Sequence, residues 1–292
     1  MKVAIYGQYY HENSGDFIKI LVEVLMLHKV DVSMEAEYAQ ILMDNDVIDK
    51  SNHKIFSELD SDTDLFFSIG GDGTILSAIS FIKDSGIPIV GINTGRLGFL
   101  ATIKKDEIKQ AVESILDKEY TISERTLLQI HPSRQIYELN DFDVALNEVT
   151  VSRRNTTSMI TVDTYLNDEY LTSYWADGLI ISTPTGSTGY SLSCGGPVIV
   201  PGSQNFVITP IAPHNLNARP LVISDDTEIR LKISSREERF LTSLDSRIAT
   251  VESKTEITIK KAPYQIKMIQ PKGGSFLKTL RNKLLWGEDK RN

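Results

Sequence analysis

The sequence predicts two domains of different class: an α/β domain on a parallel sheet, then a largely all-β domain, with a C-terminal helix that returns to the first. Three observations predict this. Apolar runs alternate with helical repeats up to about residue 120, short alternating runs take over after that, and the tail from Phe276 to Trp286 is amphipathic and basic.

Val3 to Tyr6 reads as a buried strand, and Phe17, Ile20, Leu21 and Val24 recur behind it at helical spacing. Leu65 to Ile69 is a second strand that runs into Gly70-Gly71-Asp72-Gly73-Thr74 and then a helix through Ile79 and Ile82. Ile87 to Ile92 is a third strand, and Ile108 to Leu116 a last helix. Strands separated by helices give a Rossmann-like sheet that takes its ligands at the carboxyl ends of the strands. The β-rich half follows in runs at Leu127 to Ile130, Ala145 to Val151, Met159 to Leu166, Gly178 to Ser182, Phe206 to Ile211, Glu228 to Ile233, Glu256 to Lys260 and Gln265 to Ile269. Thr188 to Ser193 reads as a short helical turn between glycines. The boundaries fall at 1–122, with 273–292 packing back on it, and at 123–272.

A chain of 292 residues with a formal charge of −8 has room for two cores and no basic excess. Nucleic-acid binding and docking on anionic lipid both call for a basic face, so neither is expected. Anionic ligands must be held locally, by backbone amides, metal or a few side chains. The one cysteine, Cys194, excludes an internal disulfide and suits a cytoplasmic setting; it reads as a small buried residue. No apolar run reaches the length of a membrane span, and the N-terminal run is too short for a signal-peptide core. The histidines, His11, His28, His53, His131 and His214, are scattered and read as solvated or packed, whereas Trp175 and Trp286 read as packing residues.

The loop from Gly70 to Thr74 combines glycines that let a phosphate approach the backbone with a carboxylate that a pure phosphate cradle would avoid. Asp72 therefore points to a hydroxyl proton or a metal, the alternative being a helix cap. Asn147-Glu148 falls within a strand and Asp177-Gly178 just before one. From Thr183 to Ser193, seven of eleven residues carry a hydroxyl, a density suited to reading ribose or amide groups.

Taken together these motifs resemble one family. The Gly-Gly-Asp-Gly-Thr loop, Asn-Thr-Gly-x-Leu-Gly-Phe at 93–99, Asn147-Glu148, Asp177-Gly178, Thr-Pro-Thr-Gly-Ser-Thr-Gly-Tyr at 183–190 and Gly195-Gly196-Pro197 stand in the order found in bacterial NAD kinases. The resemblance implies phosphate transfer from ATP or another phosphate donor, with magnesium or another divalent metal, to the 2′-hydroxyl of the adenosine ribose of NAD. It implies Asp72 as general base beside Gly73, with Phe99 near the adenine. Asn147 and Glu148 would hold the ribose and nicotinamide portion or orient the metal-bound phosphates, and Asp177 would contact the nicotinamide-ribose side. Thr188, Gly189, Tyr190, Ser191, Leu192 and Ser193 would line the pocket, with Tyr190 against a base. Ala212 matches a position that reaches the site in the family's homo-oligomers, commonly tetramers. Ser77 and Trp175 stand where relatives carry basic residues, and Leu244-Asp245-Ser246-Arg247 replaces a more usual Asp-Gly-Gln turn; no role is assigned to these.

Two other readings share some of these features. A lipid or sugar kinase of the same superfamily would have the Asp72 loop but no reason for the 183–190 string. A non-catalytic dinucleotide sensor would keep the pocket and lose the base.

Overall fold

The computed structural model describes residues 1–10, 14–49, 54–155 and 158–286, so His11 and His53 lie outside it. The chain divides into two units, Met1–Glu124 with Ile266–Asn292, and Arg125–Gln265.

The first unit runs β1 (Lys2–Gly7), α1 (Gly15–Leu27), β2 (Asp31–Glu35), α2 (Ala36–Asp44), β3 (Lys54–Phe56), β4 (Leu65–Gly70), α3 (Asp72–Ile82), β5 (Ile89–Asn93), β6 (Ile103–Lys104) and α4 (Ile108–Leu116). Its strands are parallel in the order β5-β4-β1-β2-β3, with β6 beside β5. In β4 the run from Leu65 to Ile69 is buried on both faces, which is why it reads as a continuous apolar stretch rather than an alternation. Helix α1 buries Ile18, Leu21, Val22 and Leu25, a complete i, i+3, i+4, i+7 stripe. Ile20, expected on that face, is 37% exposed because the stripe is centred one residue further round. The segment β2-α2-β3 was not anticipated. Glu35 starts α2, its carboxylate accepting the N–H groups of Glu37 (3.0 Å) and Tyr38 (2.9 Å).

The second unit takes most of β7 (Tyr120–Pro132), then β8 (Val144–Ala145), β9 (Glu148–Ser152), β10 (Ile160–Leu166), β11 (Glu169–Ala176), β12 (Gly178–Ser182), the four-residue α5 (Tyr190–Ser193), β13 (Asn205–Ile211), β14 (Leu221–Ser224), β15 (Ile229–Ser234), β16 (Arg239–Leu244), β17 (Arg247–Glu252) and the start of β18 (Glu256–Pro271). One antiparallel sheet has the order β14-β13-β12-β9-β16-β17; β11, β10, β15 and β18 form a second antiparallel series. Val149, Val151, Leu179, Ile181, Phe206 and Phe240 of the first meet Ile160, Val162, Leu231 and Ile257 of the second in one core.

Several strand readings change in detail. The run read as one strand from Ala145 to Val151 is broken at Leu146-Asn147, and the two runs read between Glu256 and Ile269 are one strand. The end of β18 belongs to the first unit, where Met268 pairs with Ile89 of β5. Helix α6 (Phe276–Leu284) follows in that unit. Ser275 caps it by accepting the Lys278 N–H (3.1 Å), Leu280 is buried, and Arg281 and Lys283 favour the negative end of its dipole. Lys278 lies on the same helix; Lys290 and Arg291 of the basic tail lie outside the described residues.

Candidate functional site

The loop after β4 needs glycine for two different reasons. A Cβ on Gly70 would sit 2.2 Å from Thr74 Oγ1, so packing forces that glycine. Around Gly71 and Gly73 a Cβ would meet nothing within 4 Å, and neither has a left-handed φ. Among the described residues nothing requires glycine at these two positions; bare backbone there leaves room for something outside the chain.

Asp72 does not cap α3. The N-cap is Gly71, and the Asp72 carboxylate turns to the segment after β5, accepting the N–H groups of Phe99 (2.7 Å), Leu100 (3.0 Å) and Ala101 (3.0 Å). A Cβ on Gly98 would lie 1.8 Å from Asp72 Oδ1, so that glycine makes room for the carboxylate. Asn93 braces the same loop, donating to the Arg96 carbonyl (2.9 Å) and accepting from the Gly95 N–H (2.8 Å). A carboxylate has about four lone-pair sites. Three are engaged by backbone, and about one is left for a hydroxyl. Phe99 stands with its ring 6.2 Å from that of Phe276, and Ser77, one turn along α3, accepts from Gln8 Nε2 (2.8 Å).

In the second unit Glu148 opens β9, Asn147 lies in the break before it, and both adjoin the loop after β12. A Cβ on Gly189 would be 3.3 Å from Glu148 Oε2 and 3.7 Å from Asn147 Nδ2, so the loop's outer turn touches both side chains. Thr183 accounts for this closeness: its N–H donates to the Asn147 carbonyl (2.9 Å) and its hydroxyl to the Leu146 carbonyl (2.6 Å). Thr185, Ser187 and Ser191 are buried as well. The Ser187 hydroxyl donates to the Pro184 carbonyl (2.7 Å), and that of Ser191 pairs with Thr209 (2.8 Å). The hydroxyl density read as ligand recognition is therefore mostly internal bracing. Thr188, Gly189, Leu192 and Ser193 are partly or fully exposed, and Tyr190 is 45% exposed. Ser191 contributes backbone to this turn while its side chain points into the core.

Asp177 ends the connection into β12, with its carboxylate 2.9 Å from Arg153. Its N–H donates to the Ile211 carbonyl (3.0 Å), which sets Ala212 close by at φ +43°, a left-handed conformation rare for alanine. Trp175 is 47% exposed rather than packed and lies 4.4 Å, ring to ring, from His214. Cys194 is half-buried, and burial raises its thiol.

Glu148 Oε2 is buried without a hydrogen-bond partner among the described residues. Burial, reinforced by the negative Asp245 and opposed by the Tyr190 N–H, pushes its carboxyl up to about 7. Asp245 has no role assigned by its sequence context, yet it accepts the N–H groups of Leu146 (2.9 Å), Asn147 (2.7 Å) and Glu148 (3.1 Å). Burial raises its own carboxyl against those three bonds and Arg247, whose guanidinium donates to the carbonyls of Phe142 and Val144.

In the first unit, open space over bare backbone stands beside a carboxylate held by three amides, an arrangement compatible with phosphate chemistry. Family models agree: the ATP-NAD kinase N-terminal domain matches residues 4–120 and the ATP-NAD kinase C-terminal domain residues 146–271. The chain belongs to the NAD kinase family. An NAD kinase of Christiangramia forsetii is 58% identical and one of Flavobacterium psychrophilum 56%, each over all of both chains. Among solved structures, an NAD kinase from Archaeoglobus fulgidus in complex with ATP is 26% identical with a TM-score of 0.73, covering 97% of each chain. Yeast NADH kinase complexed with NADH shares the fold at a TM-score of 0.86 and 23% identity, covering all of this chain and 89% of its own. The NAD kinase fold thus joins an α/β domain to a mostly β domain and closes with a helix, as the sequence predicts. The lipid or sugar kinase and the sensor are not favoured.

Proposed function

We propose that this NAD kinase takes the terminal phosphate of ATP to the 2′-hydroxyl of the adenosine ribose of NAD, with Asp72 as the base. The observation that carries the reading is the pairing of Gly71 and Gly73, bare for no internal reason, with a carboxylate held by three amides beside them. Phosphoryl transfer passes through a loose transition state, so positioning and charge neutralisation supply most of the catalysis. The free lone pair of Asp72 accepts the hydroxyl proton as the new O–P bond forms and the bond from the terminal phosphorus to the bridging oxygen breaks, ADP leaving with that electron pair. A divalent metal arriving with the triphosphate would supply charge neutralisation there. The open space over Gly71 and Gly73 suits a phosphate carrying a hydrated ion, and no side chain is assigned to the metal.

On the NAD side, Asn147 and Glu148 offer an amide and an unpartnered carboxyl oxygen to ribose hydroxyls. Asp177, fixed by Arg153, takes the nicotinamide-ribose side. Tyr190 offers an exposed ring for stacking above Thr188, Gly189, Leu192 and Ser193, and Phe99 faces the adenine. Ala212 is the point at which a second copy would reach the site of a homo-oligomer. Among the described residues no helix is long and apolar enough to cross a membrane; the proposed setting is the cytoplasm.

The test is NADP formation from NAD, ATP and magnesium, with Asp72→Asn alongside. The variant should lose about 10²- to 10⁴-fold in kcat, the usual share of a general base, while still binding NAD. Undiminished turnover in Asp72→Asn would remove the base assignment, and no NADP from the parent would remove the kinase reading.

A further inference from the structure

We propose that Asp245, in the turn between β16 and β17, is the positioning residue of the NAD site: its carboxylate fixes the backbone of Leu146, Asn147 and Glu148 and thereby aims the two side chains that meet NAD. The inference rests on the assignment of Asn147 and Glu148 to NAD.

Leu146 and Asn147 fall in the break between β8 and β9, where an interrupted ladder leaves amides in need of acceptors. One carboxylate supplies three consecutive bonds there, at 2.9, 2.7 and 3.1 Å, and the Asp245 N–H returns one to the Glu148 carbonyl at 2.9 Å. From the other side Thr183 takes the Leu146 and Asn147 carbonyls, and Gly186 packs so closely that a Cβ would be 2.1 Å from the Asn147 oxygen. The segment is gripped by its N–H groups on one side and its carbonyls on the other.

The turn itself does not ask for aspartate. Asp245 and Ser246 join the paired Leu244 and Arg247, and Asp245 sits at φ +53°. A two-residue turn with a left-handed first residue is better served by glycine or asparagine. What aspartate adds is a charged acceptor, whose hydrogen bonds are stronger than those of a neutral one. That charge also acts on Glu148. The charged and titratable groups around this pair are Arg247 beside Asp245, Tyr190 against Glu148, and Asp177 with Cys194 beyond Tyr190. Asp245 thus sets both the direction of the Glu148 side chain and its readiness to hold a proton.

Asp245→Gly separates the clamp from the fold, because glycine accepts the left-handed backbone without strain. The expected result is a melting temperature lowered by the loss of three acceptors, faster hydrogen exchange at amides 146–148, and a KM for NAD raised about tenfold or more while kcat and the KM for ATP move much less, as for lost uniform binding. Asp245→Asn should recover part of the affinity, since its carbonyl still accepts. The KM profile of Asp245→Asn should also shift to lower pH, because the negative neighbour of Glu148 is gone. An Asp245→Gly protein with parental KM for NAD overturns the proposal, as does a loss in which kcat and the KM for ATP change as much as the KM for NAD. A parent that makes no NADP overturns the kinase reading instead, and exchange at 146–148 then still decides whether the clamp exists.

Discussion

Replacing Glu148 with glutamine should make the protein more resistant to heat at alkaline pH and leave it nearly unchanged at acid pH. The Glu148 carboxyl lies at about 7 in the folded chain against an ordinary 4.5. Between those values the folded form holds a proton that the unfolded form has lost, so stability falls as pH rises through the window. At about 1.4 kcal/mol per tenfold, the penalty grows from nothing below pH 4.5 to about 3 kcal/mol well above pH 7. The amide in Glu148→Gln does not titrate and has no charge for Asp245 to repel. Melting curves of parent and variant should therefore diverge by about 5–10 °C between pH 5 and pH 8.5, with the variant higher at the alkaline end. Any constant cost of the amide shifts both ends alike, so the slope of the difference is the readout. Parallel curves across the range would refute both the burial of an unpartnered Oε2 and the influence of Asp245 on it.

Gly71→Ala should fold as well as the parent, since the new methyl meets nothing and the backbone is extended, yet its KM for ATP should rise about tenfold, a loss of about 1.4 kcal/mol; unchanged ATP kinetics would deny the phosphate a place over that loop. Gly186→Ala should fail differently, because its methyl would press on Asn147 backbone atoms at 2.1 and 2.4 Å. A stability loss of about 1–3 kcal/mol together with weaker NAD binding is expected, and calorimetry finding NAD affinity intact would show that Asn147 need not stay in place.

Much of the first unit was readable because its buried strands and helices are long and apolar. Ile108 to Leu116 comes out with the expected bounds, and Leu65 to Ile69 is one residue short of β4. The segment β2-α2-β3 was not, since Asp31–Glu35 is short and mixed and α2 carries a weak apolar stripe behind a glutamate cap. The hairpin β16-β17 alternates clearly enough, but its Asp-Ser turn lacks the glycine that marks a two-residue turn. At the site, the glycines and Asp72 could be singled out from their neighbours in sequence. Their partners could not: nothing local joins Asp72 to the amides of 99–101, and Asp245, the residue that holds Asn147 and Glu148, carries no mark of it in its own neighbourhood. The hydroxyls from Thr183 to Ser191 misled because composition does not distinguish an oxygen facing a ligand from one bonded inward.

Those distant partners also set an order in time. The Asp72 loop is completed by amides 27 to 29 residues downstream, so a chain leaving the ribosome can close it once residue 101 has emerged. Asn147 and Glu148 wait 97 to 98 residues for their carboxylate, and until residue 245 is out their N–H groups lack that acceptor. A half-made chain can therefore order the Asp72 carboxylate while the amides of 146–148 still lack their acceptor.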